Sequence, residues 1–252
     1  MTNHTVSNQS RHAFHRIVGI AALVLALGTL PGAVFGQAAT NVSPIKIGII
    51  GSGNLGGTLG TLWVKSGHPV LFSSRHPEKL KKLVDGLGPL ARAGTVREAL
   101  TFGDVVFVAV PYRAYPQIGK DYAREFTGKI VIDAGNAVPS RDGEIAKETR
   151  ENGIGITSAK YLAGARIVRA FNTLNYRRLA SISNRPEGRI GIPMAGDDKE
   201  ALAVASTLVR DAGFDPVIIG PLERAKDFAQ GAPLYGQEIT AQELQQRAKS
   251  LR

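Results

Sequence analysis

From residue 45 onward, short runs of apolar and β-branched residues alternate with amphipathic stretches, the pattern of a parallel sheet covered by helices on both faces. Residues 45–50 (IKIGII) predict a first strand, 68–73 a second, 104–110 (DVVFVAV) a buried strand stopped by Pro111, and 129–133 (KIVID) a further one, with a weaker strand near 90–93. These runs are apolar along their length instead of alternating, as strands buried on two faces require. Between them, helices are expected over 54–66 (closed by Gly67), 77–84, 95–100, and 114–126 in spite of Pro116.

Past Asp133 the alternation continues. An irregular segment, 134–142, precedes helical stretches near 144–151 and 158–163. Three more apolar runs follow, at 166–171, 190–195 and 216–219. Between the last two lies a helix over 198–212, with Asp197 expected as its cap and Gly213 as its stop. No long all-helical half, repeat or low-complexity linker interrupts this order. The expected class is therefore α/β: one doubly wound domain over 45–221, its mostly parallel sheet extended by C-terminal strands, followed by a helical or loop tail, 222–252.

The first 40 residues obey other rules. They carry no acid; Arg11 and Arg16 precede an apolar run, 17–30, which ends at Pro31 and the small residues around Gly36 and Ala38. That is a positive, a hydrophobic and a cleavage region in the order of an export signal. As a helix the run reaches about 21 Å, short of the roughly 30 Å of a hydrocarbon core. Residues 1–36 are thus expected to be a signal peptide and 37–44 a linker. The product would be exported to the periplasm without a permanent membrane span, or cytoplasmic if the leader is not functional.

Composition narrows the chemistry. The 252 residues contain no Cys, which excludes disulfide scaffolds and thiol enzymes, and 43% are hydrophobic, too many for a disordered chain. The net charge of +10 is scattered: only Lys79, Lys81 and Lys82 cluster, so no nucleic-acid partner is expected. The five His have no metal-ligand spacing, and neither a nucleophile elbow nor an H-E-x-x-H occurs. No metal and no catalytic acid or base is assigned.

One motif carries chemistry. Gly51-Ser52-Gly53-Asn54-Leu55-Gly56 follows the first predicted strand and opens a predicted helix. Gly51 permits the tight turn, Gly53 lets backbone approach a pyrophosphate, and Gly56 lets the helix pack on its strand, as in a Rossmann dinucleotide site. At the end of the second strand an NAD site would place an acid for the ribose 2′-hydroxyl. Here Ser73, Ser74 and Arg75 stand instead, with Lys79 on the next turn and no carboxylate before Glu78. Hydroxyls and a guanidinium suit a 2′-phosphate, so NADP(H) is the expected cofactor. At the ends of later strands, Val110 and Pro111, Asn136, Asn172 and Thr173 are candidates to floor a nicotinamide pocket. Hydride transfer between stacked rings asks mainly for alignment, so the missing acid–base pair is no obstacle.

Together, G-x-G-N-x-G-G at 51–57, Ser74-Arg75, Val110-Pro111, D-x-x-N at 133–136, A-F-N-T at 170–173 and A-G-D-D at 195–198 resemble the reductases that pass hydride between NADP(H) and coenzyme F420. Their Rossmann domain is also similar to those of pyrroline-5-carboxylate reductases and STEAP metalloreductases. The resemblance implies NADP contacts from residues 51–56, Ser74 and Arg75. It also implies that Asn136, Phe171, Asn172 and Thr173 approach the nicotinamide and a small-molecule acceptor, F420 or a flavin, with a homodimer allowed. The alternatives are an exported NADP-binding protein without turnover, and an imine or carbonyl reductase of the pyrroline-5-carboxylate reductase type. The last is disfavoured because the runs at 190–195 and 216–219 read as strands where a dimerisation helix belongs.

Overall fold

The computed structural model describes residues 43–251; the expected signal peptide lies outside them. Eight strands form one sheet: β1 (Ile47–Ile50), β2 (Val70–Ser73), β3 (Ala91–Gly94), β4 (Val105–Val108), β5 (Ile130–Asp133), β6 (Arg166–Arg169), β7 (Gly191–Gly196) and β8 (Asp215–Gly220). Their order is β3-β2-β1-β4-β5-β6-β7-β8, parallel except for the antiparallel β6–β7 pair. This is a doubly wound Rossmann sheet, in which the direction of winding reverses between β1 and β4. The strands β7 and β8 extend it, as expected.

Every residue of β1, β2, β4 and β5 is buried, because helices cover both faces. One face holds α1 (Asn54–Lys65), α2 (Lys81–Leu87), α9 (Tyr176–Ile182) and α10 (Lys199–Asp211). Its centre is Trp63, which sits edge-on to Phe107 and Phe171 with centroids 5.2 and 6.0 Å away and donates from Nε1 to the Leu208 carbonyl at 2.8 Å. The other face is covered by α3 (Val96–Phe102), α4 (Tyr115–Asp121), α5 (Ala123–Phe126), α8 (Ile154–Tyr161) and α11 (Ala241–Lys249). Helices α6 (Pro139–Asp142) and α7 (Glu144–Asn152) lie between β5 and α8 along the chain. Among the described residues no helix is long and apolar enough to cross a membrane.

Several local expectations differ from the structure. The single helix over 114–126 is two, because Tyr122 leaves helical geometry (φ −126°, ψ 26°) where the Arg97 guanidinium lies over its ring; Pro116, in the first turn of α4, costs no hydrogen bond. The helix expected at 158–163 begins at Ile154, because the β-branched run there packs on the 3₁₀ segment Leu222–Phe228, so closely that a Cβ on Gly155 would stand 2.3 Å from the Leu222 carbonyl. The cap of α10 is Asp198, accepting from Ala201 N at 2.8 Å; Asp197 instead accepts from Leu222 N at 2.9 Å. Helix α9 was not foreseen, although Asn175 caps it and Leu179 and Ile182 supply its buried stripe. After Pro221 the chain belongs to the core: Leu222, Ala225, Phe228, Leu234, Leu244 and Ala248 are buried.

Candidate functional site

The loop between β1 and α1 explains each of its glycines. Gly51 has φ +96°, and a Cβ there would stand 2.6 Å from the Ala109 carbonyl on the neighbouring β4 tip. A Cβ on Gly56 would stand 2.2 Å from the Gly51 carbonyl, so only glycine lets α1 sit this close to β1. Gly53 differs: a Cβ there would meet nothing within 4 Å. Its bareness serves no internal packing and leaves room for a ligand against the backbone. Helix α1 starts at Asn54 with no side-chain cap and no acid in its first turn, so its free N–H groups and partial positive charge face outward. Ser52 Oγ, buried in this loop, has no hydrogen-bond partner.

A cleft of about 580 Å³ opens directly over this turn. Its floor is the tips of β1 and β4 (Ile50, Gly51, Ser52, Gly53, Val110, Pro111), one side is Ser74 and Arg75, and Val96, Ile118 and Tyr122 give an apolar wall. The cleft stands at the point where strand order reverses, the place at which doubly wound sheets bind ligands. Arg75 is exposed and makes no ion pair or side-chain hydrogen bond among the described residues. Ser74 Oγ accepts from His76 N at 3.0 Å, which leaves its own proton for an acceptor. These features fit a dinucleotide: an uncapped helix start for a diphosphate, an open backbone beside it, and a free guanidinium at the ribose end.

The expected residues do not all share this cleft. Ser73 borders it, but its buried hydroxyl donates to the Ile49 carbonyl at 2.6 Å, tying β2 to β1. Lys79 is exposed on the 3₁₀ turn Pro77–Leu80 and is not part of the lining. Asn136, Asn172 and Thr173 stand further along the row of strand tips. Asn136 Nδ2 donates to the Asn172 carbonyl at 2.7 Å, Asn172 Nδ2 donates to the Phe228 carbonyl at 2.9 Å, and the Thr173 carbonyl accepts from Gly236 N at 3.1 Å. Phe171 does not face the site: fully buried at φ +62°, it packs edge-on between Trp63, Phe107 and Phe214. The A-F-N-T run thus combines one core anchor with two polar tip residues, both buried and neither lining this cleft. Sequence reading missed Arg113, in the β4–α4 connection, and Gln117, Asp121 and Tyr122, on α4 and at its end, all of which line the cleft. Their only signal was position after a buried strand.

The tips follow one another in the order β2, β1, β4, β5, β6. At the usual spacing of about 4.8 Å per strand, Arg75 and the Asn136–Asn172 pair are separated by roughly 15–19 Å along that row. An extended dinucleotide with its diphosphate at Gly53 spans such a distance.

Fold and cleft together define a Rossmann domain of the dinucleotide-binding type. Residues 46–137, from β1 through the β5 tip, match the family of NADP oxidoreductases, coenzyme F420-dependent. The metalloreductase STEAP3 of Rattus norvegicus is 31% identical over 187 residues, 72% of this chain and 35% of that protein. The chain therefore spans about a third of the length of the STEAP relatives it matches. Among solved structures, a hypothetical protein from Sinorhizobium meliloti superposes with a TM-score of 0.64 at 27% identity, covering 78% of this chain and 95% of that one. A putative F420-dependent NADP reductase from Arthrobacter sp. FB24 superposes at 0.62 with 20% identity, covering 72% and 87% respectively.

Proposed function

We propose that the protein transfers hydride between NADPH and a ring acceptor, coenzyme F420, a flavin or a similar molecule. One juxtaposition carries this reading: a bare, uncapped glycine turn and a free Ser74–Arg75 lip open into the same cleft, at the reversal point of the sheet. The reduced nicotinamide supplies the hydride, and the acceptor takes it up with one proton. The chain's part is to bind and align. The first turn of α1 holds the diphosphate, Ser74 and Arg75 hold the 2′-phosphate, and Asn136, braced by the buried Asn172, stands at the far end with Thr173. The family match and the STEAP relatives support the cofactor class; the F420-dependent neighbour is the reason for placing deazaflavins first among acceptors.

We also propose that this reaction takes place outside the cytoplasm, a reading supported by the basic, apolar and small-residue order of residues 1–36. Protein lacking residues 1–36 should oxidise NADPH at 340 nm with at least one member of a panel of F420, FMN, ferric chelates and quinones. NADPH binding without turnover across that panel would leave a carrier or sensor of NADP. Absence of binding would end the assignment. Cell fractionation of the full chain tests its destination.

A further inference from the structure

Beneath the far end of the row of tips lies a buried ionic cluster. Asp133, the last residue of β5, and Arg169, the last of β6, are register partners on adjacent parallel strands, so their side chains share a face. Both are fully buried, and Arg169 Nη1 donates to Asp133 Oδ2 at 2.8 Å. The other carboxylate oxygen, Oδ1, accepts from the Tyr115 hydroxyl at 2.5 Å and from the Gly135 N–H at 2.9 Å. Gly135 belongs to the turn that carries Asn136, and a Cβ there would stand 2.1 Å from the Tyr115 oxygen, so this turn and this hydroxyl are fitted to each other. Tyr115 in turn stacks on Tyr112 with centroids 4.2 Å apart, and Tyr112 is tied to α8 through Ser158 Oγ at 2.8 Å.

The cluster is badly suited to stability. Arg169 Nε and Nη2 are buried without a partner, and unsatisfied donors of this kind are costly. An apolar pair of similar volume would hold two strands at least as well. What the charged pair supplies is direction. It fixes one carboxylate oxygen so that the other can orient the Gly135 amide, and it joins the β5 tip to the β6 tip, where Asn172 and Thr173 stand. Burial, with Asp133 beside it, pushes the Tyr115 hydroxyl well above its ordinary value, so Tyr115 remains a donor at any working pH.

We propose that Asp133, Arg169 and Tyr115 are positioning residues for the nicotinamide half of the dinucleotide, locking the two tips on which that half rests while leaving the adenosine half to Gly53 and Arg75. The inference depends on the NADP reading above and deepens it. The two halves of the cofactor are held by separate parts of the sheet, and only one of them is under the control of this cluster.

Two ligands separate the halves without any need for the acceptor: NADPH, and adenosine 2′,5′-bisphosphate, which lacks the nicotinamide. Two variants are used. Tyr115→Phe keeps the aromatic stack and the ion pair. The double variant Asp133→Asn with Arg169→Met removes both buried charges together, so that neither is left alone. Calorimetric titration of the wild type should show NADPH bound more tightly than the bisphosphate. Each variant should weaken NADPH by roughly five- to tenfold, the loss expected when a hydrogen bond that fixes a loop is released, and leave the bisphosphate within about twofold. Equal weakening of both ligands would mean general loosening and would overturn the proposal, as would unchanged NADPH affinity in Tyr115→Phe or equal wild-type affinities for the two ligands. A wild type that binds neither ligand refutes the NADP reading itself, an outcome distinct from all of these.

Discussion

Replacing Arg75 with Ala tests the cofactor assignment most directly, because the side chain has no other work in the fold. It is exposed and without an internal partner among the described residues, so its loss should change folding stability by no more than about 0.5 kcal/mol. Any effect then belongs to the ligand. A hydrogen bond between a guanidinium and a phosphate contributes about 1.5–3 kcal/mol, or roughly a 10- to 150-fold change in affinity. Exposure at the lip of the cleft argues for the lower part of that range, since solvent and salt screen the charge. NADPH titrated into wild type and variant by nucleotide fluorescence, at low salt and near 0.5 M salt, should show about a 10- to 30-fold weakening at low salt that shrinks at high salt. NADH, without the 2′-phosphate, should bind both proteins alike. Arg75→Lys should fall between them, because an ammonium keeps the charge and loses the planar fork. Equal losses of NADPH and NADH, or no loss of either, would refute the argument.

Four other perturbations follow from the geometry. Gly56→Ala drives a Cβ against the Gly51 carbonyl and should lower stability by about 1–3 kcal/mol in urea unfolding; Gly53→Ala, which meets no atom of the protein and loses only the N-cap preference of glycine, should cost less than about 1 kcal/mol and reduce nucleotide binding. Phe171→Ala removes the ring that joins Trp63, Phe107 and Phe214, and should destabilise by about 3–5 kcal/mol, with no preference between NADPH and NADH if the protein is kept folded. In acid, hydrogen bonds from Arg166 and from the Ala201 amide hold Asp198 down at about 2, below its ordinary 3.8. Because the folded value is the lower one, this contribution is complete above about pH 4 and fades as pH falls toward 2. The Tm of wild type should therefore drop more steeply across that interval than that of Asp198→Asn; parallel curves would show that the carboxylate does not contribute.

Much of the fold could be read along the chain because its signals are local. The strand runs 45–50, 68–73, 104–110 and 129–133 contain β1, β2, β4 and β5, since strands buried on both faces must be apolar throughout and their turns must carry Gly or Pro. Local signals failed where a neighbour decided the outcome. The helix expected from residue 158 begins four residues earlier, because Ile154 and Gly155 fit against residues 222–228. The segment after Pro221 has low hydropathy, yet its few apolar side chains close one side of the sheet. Phe171 illustrates the same limit in the site: beside Asn172 and Thr173 it reads as part of a binding motif, but a left-handed backbone just past the end of β6 breaks the alternation and turns its ring into the core.

By itself the order of residues determined the α/β class, the glycine turn and the arginine that follows the second strand, because each depends on signals within about twenty positions along the chain. The tertiary structure alone decided which of those elements share a cleft and which side chains are consumed by packing. It alone brought Asp133 and Arg169, 36 residues apart, into one buried ion pair. Burial and register are properties of strands lying side by side, and a linear pattern carries the tendency toward them without the pairing that makes them definite.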